Sequence, residues 1–313
     1  MTILDKAAMM PRDDSEAVAV IRKTFAAEGI ALLEKVDIER IETIADGISV
    51  ILAGGRRVEG SHLLVAAGRR PNVENLGLDA AGIVFSPKGI QVDDRLRTSN
   101  AKVFAAGDVA GGPQFTHWAG YHAGIILRNA LFRLPAKVDM APLPWVTYTE
   151  PELAQVGLTE ADSRARFGES IRVLKASFAD NDRARAERRI EGFVKAVTDA
   201  KGRILGATIV GPHAGELIQT WGLDISNRLK IGAMAEQPAA PTDEFVFELA
   251  VAVLIEADQS GSGAAIDSLF GFVDGHPRFA DPLGWLMVCT VEDWRIQQAR
   301  GPEPKSLRSQ GCE

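Results

Sequence analysis

The sequence predicts an α/β portion followed by an α+β domain, an antiparallel sheet with helices on one face. Three observations carry that expectation. Short uncharged runs, Leu63 to Ala67 and Val103 to Ala106, end at Gly-Arg and Gly-Asp turns, as buried strands of an open α/β sheet do. Segments with helical apolar spacing, Ser15 to Glu28 and Thr116 to Phe132, alternate with strand-like ones. Past a linker from Pro135 to Pro144 that holds three prolines, strand-like stretches are spaced by Gly, Pro and Asp turns and closed by an amphipathic helix.

Thr2-Ile3-Leu4 reads as the end of a strand, with Asp5 at its tip and a turn through Pro11. Ser15 is placed to cap a helix whose apolar side carries Val18, Ile21 and Phe25, and Gly29 stops it. Ile30 to Leu33 is another short strand. Val36 to Leu64 alternates apolar and polar residues, with hairpin turns at Asp46-Gly47 and Gly54-Gly55. Leu63 to Ala67 then leads into Gly68-Arg69-Arg70-Pro71-Asn72. There glycine permits close backbone approach, arginine offers a fixed fork of donors and proline sets the turn. Gly89 to Asp93 reads as a strand edge with structural work only.

Val103 to Ala106 is the next buried strand. Gly107 lets the backbone turn closely, and Asp108 puts a carboxylate at the strand's carboxyl end, where open α/β sheets bind ligands. The helix from Thr116 points its amino terminus back toward the same spot. Acceptor, close backbone and helix amino terminus together suit a ligand with hydroxyls and an electron-poor or anionic edge. Taken alone, a Gly-Asp turn fits any α/β protein.

In the second domain, Trp145 to Thr159 reads as a strand and turn, and Ile171 to Ala176, Gly192 to Thr198 and Ile204 to Val210 as strands. Leu217 to Leu229 is the amphipathic helix, and the whole suits a twofold interface. His213, in a turn after a strand, reads as structural.

Composition narrows the function classes. A net charge of −7 and the lack of a Lys/Arg run speak against nucleic acid as a partner. The longest apolar run, Phe245 to Ile255, is broken by Glu248 and falls short of a membrane span. No basic stretch precedes a hydrophobic core at the amino terminus, so the expectation is a cytoplasmic protein. Cys289 and Cys312 have no C-x-x-C or C-x-x-x-x-C spacing. His117 and His122 lie five apart, off the common face that an i, i+4 metal pair needs. Hence no catalytic residue and no metal ligand is assigned.

The stretch Thr98 to Gly112, T-S-N-A-K-V-F-A-A-G-D-V-A-G-G, resembles the second flavin-binding motif, T-x-x-x-x-x-(F/Y)-A-x-G-D, of the class I pyridine nucleotide-disulfide oxidoreductases. Ala66-Ala67-Gly68-Arg69-Arg70-Pro71-Asn72 matches that family's A-x-G-R-x-P-N signature. Thr149-Glu150-Pro151-Glu152-Leu153-Ala154 through Thr159 is similar to the opening of its dimerisation domain. The wording F-T-H-W-A-G-Y-H-A-G, Phe115 to Gly124, favours the dihydrolipoamide dehydrogenase and mercuric reductase branch.

The resemblance implies residues 1–62 as the second half of an NAD(P)-binding domain and 63–134 as the carboxyl-terminal part of an FAD-binding domain. It also implies a homodimer through residues 143–236. FAD would be held by Gly107, Asp108 on a ribityl hydroxyl, and Gln114, Phe115, Thr116 and His117 at the helix start, with Gly68 and Arg69 at the crossing between domains. NAD(P)H is the second cofactor. Asp5 matches the acidic residue that takes the adenine-ribose hydroxyl, favouring NADH, and reads equally as a helix-flanking charge.

The implied reaction is hydride transfer from NAD(P)H to flavin and on to a disulfide or metal-ion acceptor. Against that mechanism the redox cysteine pair, both dinucleotide glycine turns and the acid/base histidine have no match here. The alternative is therefore a catalytically incomplete fragment acting at most as a dimerisation module. The likeness stops near Glu236, and residues 237–313 form a divergent tail with a candidate helix at Phe245 to Ala257 and a turn at Gly261-Ser262-Gly263.

Overall fold

The computed structural model describes residues 1–235; the tail readings, Cys289 and Cys312 lie outside the described residues. The chain opens with β1 (Thr2–Leu4), α1 (Ser15–Ala27) and β2 (Ala31–Leu33), the two strands pairing in parallel. The cap of α1 is Asp14, one residue before the expected Ser15. Its carboxylate accepts the N–H groups of Glu16 and Ala17 at 3.0 and 3.3 Å, and an acid there also complements the helix dipole. Gly29, at φ +69°, ends the helix as expected. At the end of β2, Glu34 takes both terminal nitrogens of Arg22 and the N–H of Met9. Those bonds hold its carboxyl down at about 2, so the tie is complete at neutral pH and lost only in strong acid.

β3 (Ile38–Ile44), β4 (Gly47–Leu52) and β5 (Arg57–Gly60) form the antiparallel meander that the alternation predicts. A Cβ on Gly47 would fall 2.3 Å from the Gly60 carbonyl oxygen, so only glycine opens β4 there. The buried strand expected at Leu63 to Ala67 is not found. Leu64 and Val65 are 90 % and 71 % exposed, because no strand among the described residues runs beside them to receive their hydrogen bonds and side chains. β6 (Phe85–Ser86) and β7 (Gly89–Ile90) make a small hairpin, and α2 (Thr116–Ala130) follows.

The second part contains β8 (Pro144–Thr147), β9 (Glu152–Gly157), α3 (Glu160–Phe167), β10 (Arg172–Ser177), α4 (Asp182–Glu187), β11 (Phe193–Thr198), β12 (Ile204–Gly211), α5 (Ala214–Ser226) and α6 (Ile231–Ala235). Its strands form one antiparallel sheet in the order β10-β11-β12-β9-β8. The amphipathic helix expected at Leu217 to Leu229 is α5, which starts earlier and lies on one face. Its Gly222 lies beside Val156 and the Pro142 carbonyl, and the Gly215 N–H donates to Glu152.

The opposite face receives α1. Phe193, Val210 and Leu153, neighbours across β11, β12 and β9, meet Ala17, Val18 and Ile21 of α1 in a single apolar cluster. One row further along the strands, Lys175, Lys195, Thr208, Gln155 and Trp145 line up across all five strands. The amino end of α1 lies over this row. Asp13 accepts from the Trp145 indole at 2.8 Å, Asp14 pairs with Lys195 at 2.9 Å and Glu16 with Lys175 at 2.5 Å. Glu160, opening α3, also takes Lys195 at 3.0 Å.

Lys195 and Asp14 have side chains only 3 % and 4 % exposed. Burial works against the ammonium, but its hydrogen bonds with Asp14 and Glu160 outweigh it and raise its pKa. For Glu160 burial likewise opposes ionisation, and the bonds from Lys195 and Arg164 prevail and lower it. The Glu160 contribution is thus present above the ordinary carboxylate range and lost as pH falls through the lowered value. The Lys195 contribution is lost only as pH rises through the raised one.

Lys195→Met should leave Asp14 as a buried unpaired carboxylate and cost about 3 kcal/mol. The expected readout is a lower urea midpoint at unchanged slope, partly recovered by adding Asp14→Asn.

Candidate functional site

Thr98 to Gly112 folds as a tight loop rather than as a strand and turn. Thr98 donates its hydroxyl to the carbonyls of Asn100 and Val103, both at 3.0 Å, and Asn100 is tied to the Ala81 carbonyl at 2.8 Å. The strand expected at Val103 to Ala106 is reduced to an isolated bridge between Phe104 and Arg97. Its apolar character is nonetheless used: Val103, Ala105, Val109 and Ala110 join a cluster with Val73, Leu78, Ile83 and Ile90.

A short 3-10 turn, Gly107–Ala110, carries the Asp108 carboxylate, which is half-buried and has no hydrogen bond among the described residues. Two glycines allow its close packing. Gly107, at φ +70°, would bring a Cβ to 2.9 Å from the Ala119 methyl on α2, and Gly89 of β7 would bring one to 2.6 Å from the Val109 carbonyl oxygen. The Gly89 to Asp93 edge therefore supports the turn from behind.

Beyond the turn, Gln114 and Phe115 lead into α2. Phe115 is the cap residue but supplies no side-chain bond, so the N–H groups of Thr116 and His117 have no acceptor among the described residues. The end of this helix thus keeps a partial positive charge of about half a unit. His117 stacks on Phe115 at 5.2 Å, and its Nε2 lies 3.0 Å from the Pro144 carbonyl. Arg69 donates to the Gln114 carbonyl at 3.0 Å, and Gly68 before it sits at φ +101°.

The structure therefore gathers Gly68, Arg69, Gln114, Phe115, Thr116 and His117 around the start of α2, with Gly107 and Asp108 packed against the same helix. Asp5 lies elsewhere. It ends β1, its carboxylate accepts the Ala7 N–H at 2.8 Å, and it shares no bond with the Asp108 turn.

One participant was missed. His122 is 3 % exposed, and its Nδ1 accepts the Gly107 N–H at 3.1 Å. The signal for it was the stripe Trp118, His122, Ile125, the buried side of α2, since a histidine on such a stripe must find a partner. Burial pushes its imidazole pKa down.

A carboxylate free to accept a hydroxyl, a backbone kept close by glycine and an uncapped helix start fit a polyhydroxylated ligand whose edge is electron-rich or anionic, not electron-poor as expected, because the positive helix end attracts negative charge; FAD is one. An open cavity of about 360 Å³, lined by Lys23, Thr24, Glu150, Pro151, Arg189 and Pro212, shares no residue with this site. No helix among the described residues is long and apolar enough to cross a membrane.

Comparison with known proteins bears on both parts. The model of the pyridine nucleotide-disulphide oxidoreductases matches residues 2–123, and that of their dimerisation domain matches residues 143–244. The chain is 36 % identical over 231 residues to a mercuric reductase of Bacillus cereus, covering 72 % of this chain and 36 % of that protein. It is 34 % identical over 231 residues to a dihydrolipoyl dehydrogenase of Geobacillus stearothermophilus, covering 72 % of this chain and 49 % of that one. Among solved structures, LpdA from Mycobacterium tuberculosis superposes with a TM-score of 0.76 at 27 % identity, covering 80 % of this chain and 56 % of that one. The flavoprotein disulfide reductase RclA of Escherichia coli does so at 0.70 and 28 %, covering 76 % and 55 %. The chain spans between 36 % and 43 % of the three mercuric reductases it matches in Bacillus cereus, Acidithiobacillus ferrooxidans and Lysinibacillus sphaericus.

Gly107→Ala should force a left-handed alanine against Ala119 and cost about 1–2 kcal/mol. Thermal denaturation followed by circular dichroism would register this as a lowered midpoint with native secondary structure retained below it.

Proposed function

The chain belongs to the pyridine nucleotide-disulphide oxidoreductase family, whose cofactors are FAD and a pyridine nucleotide, and we propose that it forms part of an FAD-dependent NAD(P)H oxidoreductase of the dihydrolipoamide dehydrogenase or mercuric reductase kind. The observation that carries this reading is the unbonded Asp108 carboxylate on a glycine-tight turn packed against the uncapped first turns of α2. Residues 63–134 are the carboxyl-terminal part of the FAD-binding domain, residues 1–62 the second half of the NAD(P)-binding domain, and residues 143–236 the surface of a cytoplasmic homodimer.

Within that assignment each group has one task. Asp108 accepts a hydrogen bond from a ribityl hydroxyl, which a carboxylate does more strongly than a neutral acceptor. The Thr116 and His117 N–H groups, which have no acceptor among the described residues, would receive the electron-rich edge of the flavin pyrimidine. Arg69, by holding the Gln114 carbonyl, keeps the entry to α2 in place. Asp5 takes the adenine-ribose hydroxyls and favours NADH. When bound, flavin supplies two-electron acceptance from NAD(P)H and delivery to a disulfide or metal ion.

A second reading, a dimerisation module without turnover, is favoured by one feature: β8 to β12 are built entirely from one contiguous stretch, residues 144–211.

An absorbance spectrum of the purified chain with a flavin-to-protein ratio separates the two. The oxidoreductase reading expects stoichiometric FAD uptake, bleaching by NADH, and an affinity weakened about 10-fold to 100-fold by Asp108→Leu. A colourless protein that refuses added FAD yet sediments as a dimer would replace it with the second reading.

A further inference from the structure

His122 has a bonding pattern that neither helix packing nor surface solvation requires. It lies on the buried stripe of α2, tilted against the Trp118 ring at 4.6 Å, yet its Nδ1 reaches out of the helix to the Gly107 N–H at 3.1 Å. Because Nδ1 accepts, the proton of the neutral ring is on Nε2, and that atom is buried with no hydrogen-bond partner among the described residues. A buried donor left unpaired is costly. An apolar side chain would avoid that cost, so the retained bond at Nδ1 is what the imidazole adds at this position.

Gly107 is the residue at which the backbone turns left-handed to present Asp108. Its N–H points back into α2, and His122 is its partner there. We infer that His122 is a positioning residue of the flavin site: through the Gly107 N–H it fixes the turn that aims the Asp108 carboxylate. This rests on the flavin reading of Asp108 given above.

The same geometry makes the tether sensitive to protonation. An imidazolium carries a hydrogen on both nitrogens, so a proton on Nδ1 would set two donors against each other. The titratable groups on the elements packed about the ring are Tyr121, the exposed His117 and, in the last turn, Arg128 on α2, and Asp108 on the turn. Arg97, on the segment bridged to Phe104, is committed to Asp93. None pairs with His122 among the described residues. Burial lowers its pKa, so the tether holds above the ordinary histidine range and fails as pH drops through the lowered value.

Two variants of the full chain separate positioning from packing. His122→Asn can place its side-chain oxygen where Nδ1 sits, whereas His122→Leu fills the space without an acceptor. Hydrogen exchange of the Gly107 amide, followed by NMR without added FAD, should quicken about tenfold in His122→Leu and stay near wild type in His122→Asn. In wild type its protection relative to free-amide exchange at the same pH should fall as acidification carries the imidazole through its lowered pKa, and in His122→Asn it should not follow that titration. FAD affinity should follow the same order and the same pH profile.

Equal Gly107 protection in wild type and His122→Leu, or a wild-type profile flat into acid, overturns the inference. If His122→Leu does not fold, the wild-type profile set against His122→Asn decides alone. If the exchange pattern appears but no version takes up FAD, the flavin reading fails and the assignment of His122 to a flavin site falls with it, the tether to Gly107 standing as a structural bond only.

Discussion

An ammonium group enclosed by protein must be matched by carboxylates, and Lys195 meets that requirement only when α1 lies on the sheet. Asp14 and Glu16 come from the start of α1, Glu160 from the start of α3, and the lysine itself from β11. Removing water from such a charge costs several kcal/mol unless its partners are in place. The arrangement ties the first part of the chain to the second, alongside the bonds from Asp13 to Trp145 and from Glu16 to Lys175. Beside it the apolar row of Phe193, Val210 and Leu153 gives the contact its area. The neighbouring row, from Lys175 to Trp145, gives it direction.

The candidate site follows a comparable logic on a smaller scale. Its turn has little regular structure of its own. It is positioned by glycine contacts at Gly89 and Gly107, by the apolar cluster below it and by one bond from the buried side of α2. Asp108 owes its orientation to these contacts, and its carboxylate keeps its acceptor capacity because none of them uses it.

Much of this was legible in the sequence. The meander from Ile38 to Gly60, the strands of the five-stranded antiparallel sheet, α1 and α2 all follow apolar spacing and turn residues that local physics dictates. Arg69 and the start of α2 are neighbours in space although 45 residues separate Arg69 from Gln114. What was not legible depended on partners distant in the chain. Leu63 to Ala67 and Val103 to Ala106 have the composition of buried strands, but a strand needs a neighbour, and composition does not say whether one is present. Asp14 was passed over for Ser15 because the competing demand of Lys195 is invisible at that range. His122 was set aside because spacing compares histidines with one another and not with a backbone N–H fifteen residues away. The covering of the second sheet face by α1 likewise exists only in three dimensions.

The sheet of the second part joins two locally connected pieces, the β8-β9 hairpin and the β10-β11-β12 meander, through a single non-consecutive pairing of β12 with β9. The bond from Asp14 to Lys195, by contrast, closes a loop of 181 residues. Chain entropy penalises the long closure more than the short ones, so the sheet can assemble before α1 arrives. Under stress the order reverses. The helix detaches first, uncovering Phe193 and Val210 as an apolar stripe on an otherwise intact sheet. The earliest partly opened form of this protein is then one in which a folded antiparallel sheet turns an apolar face to water.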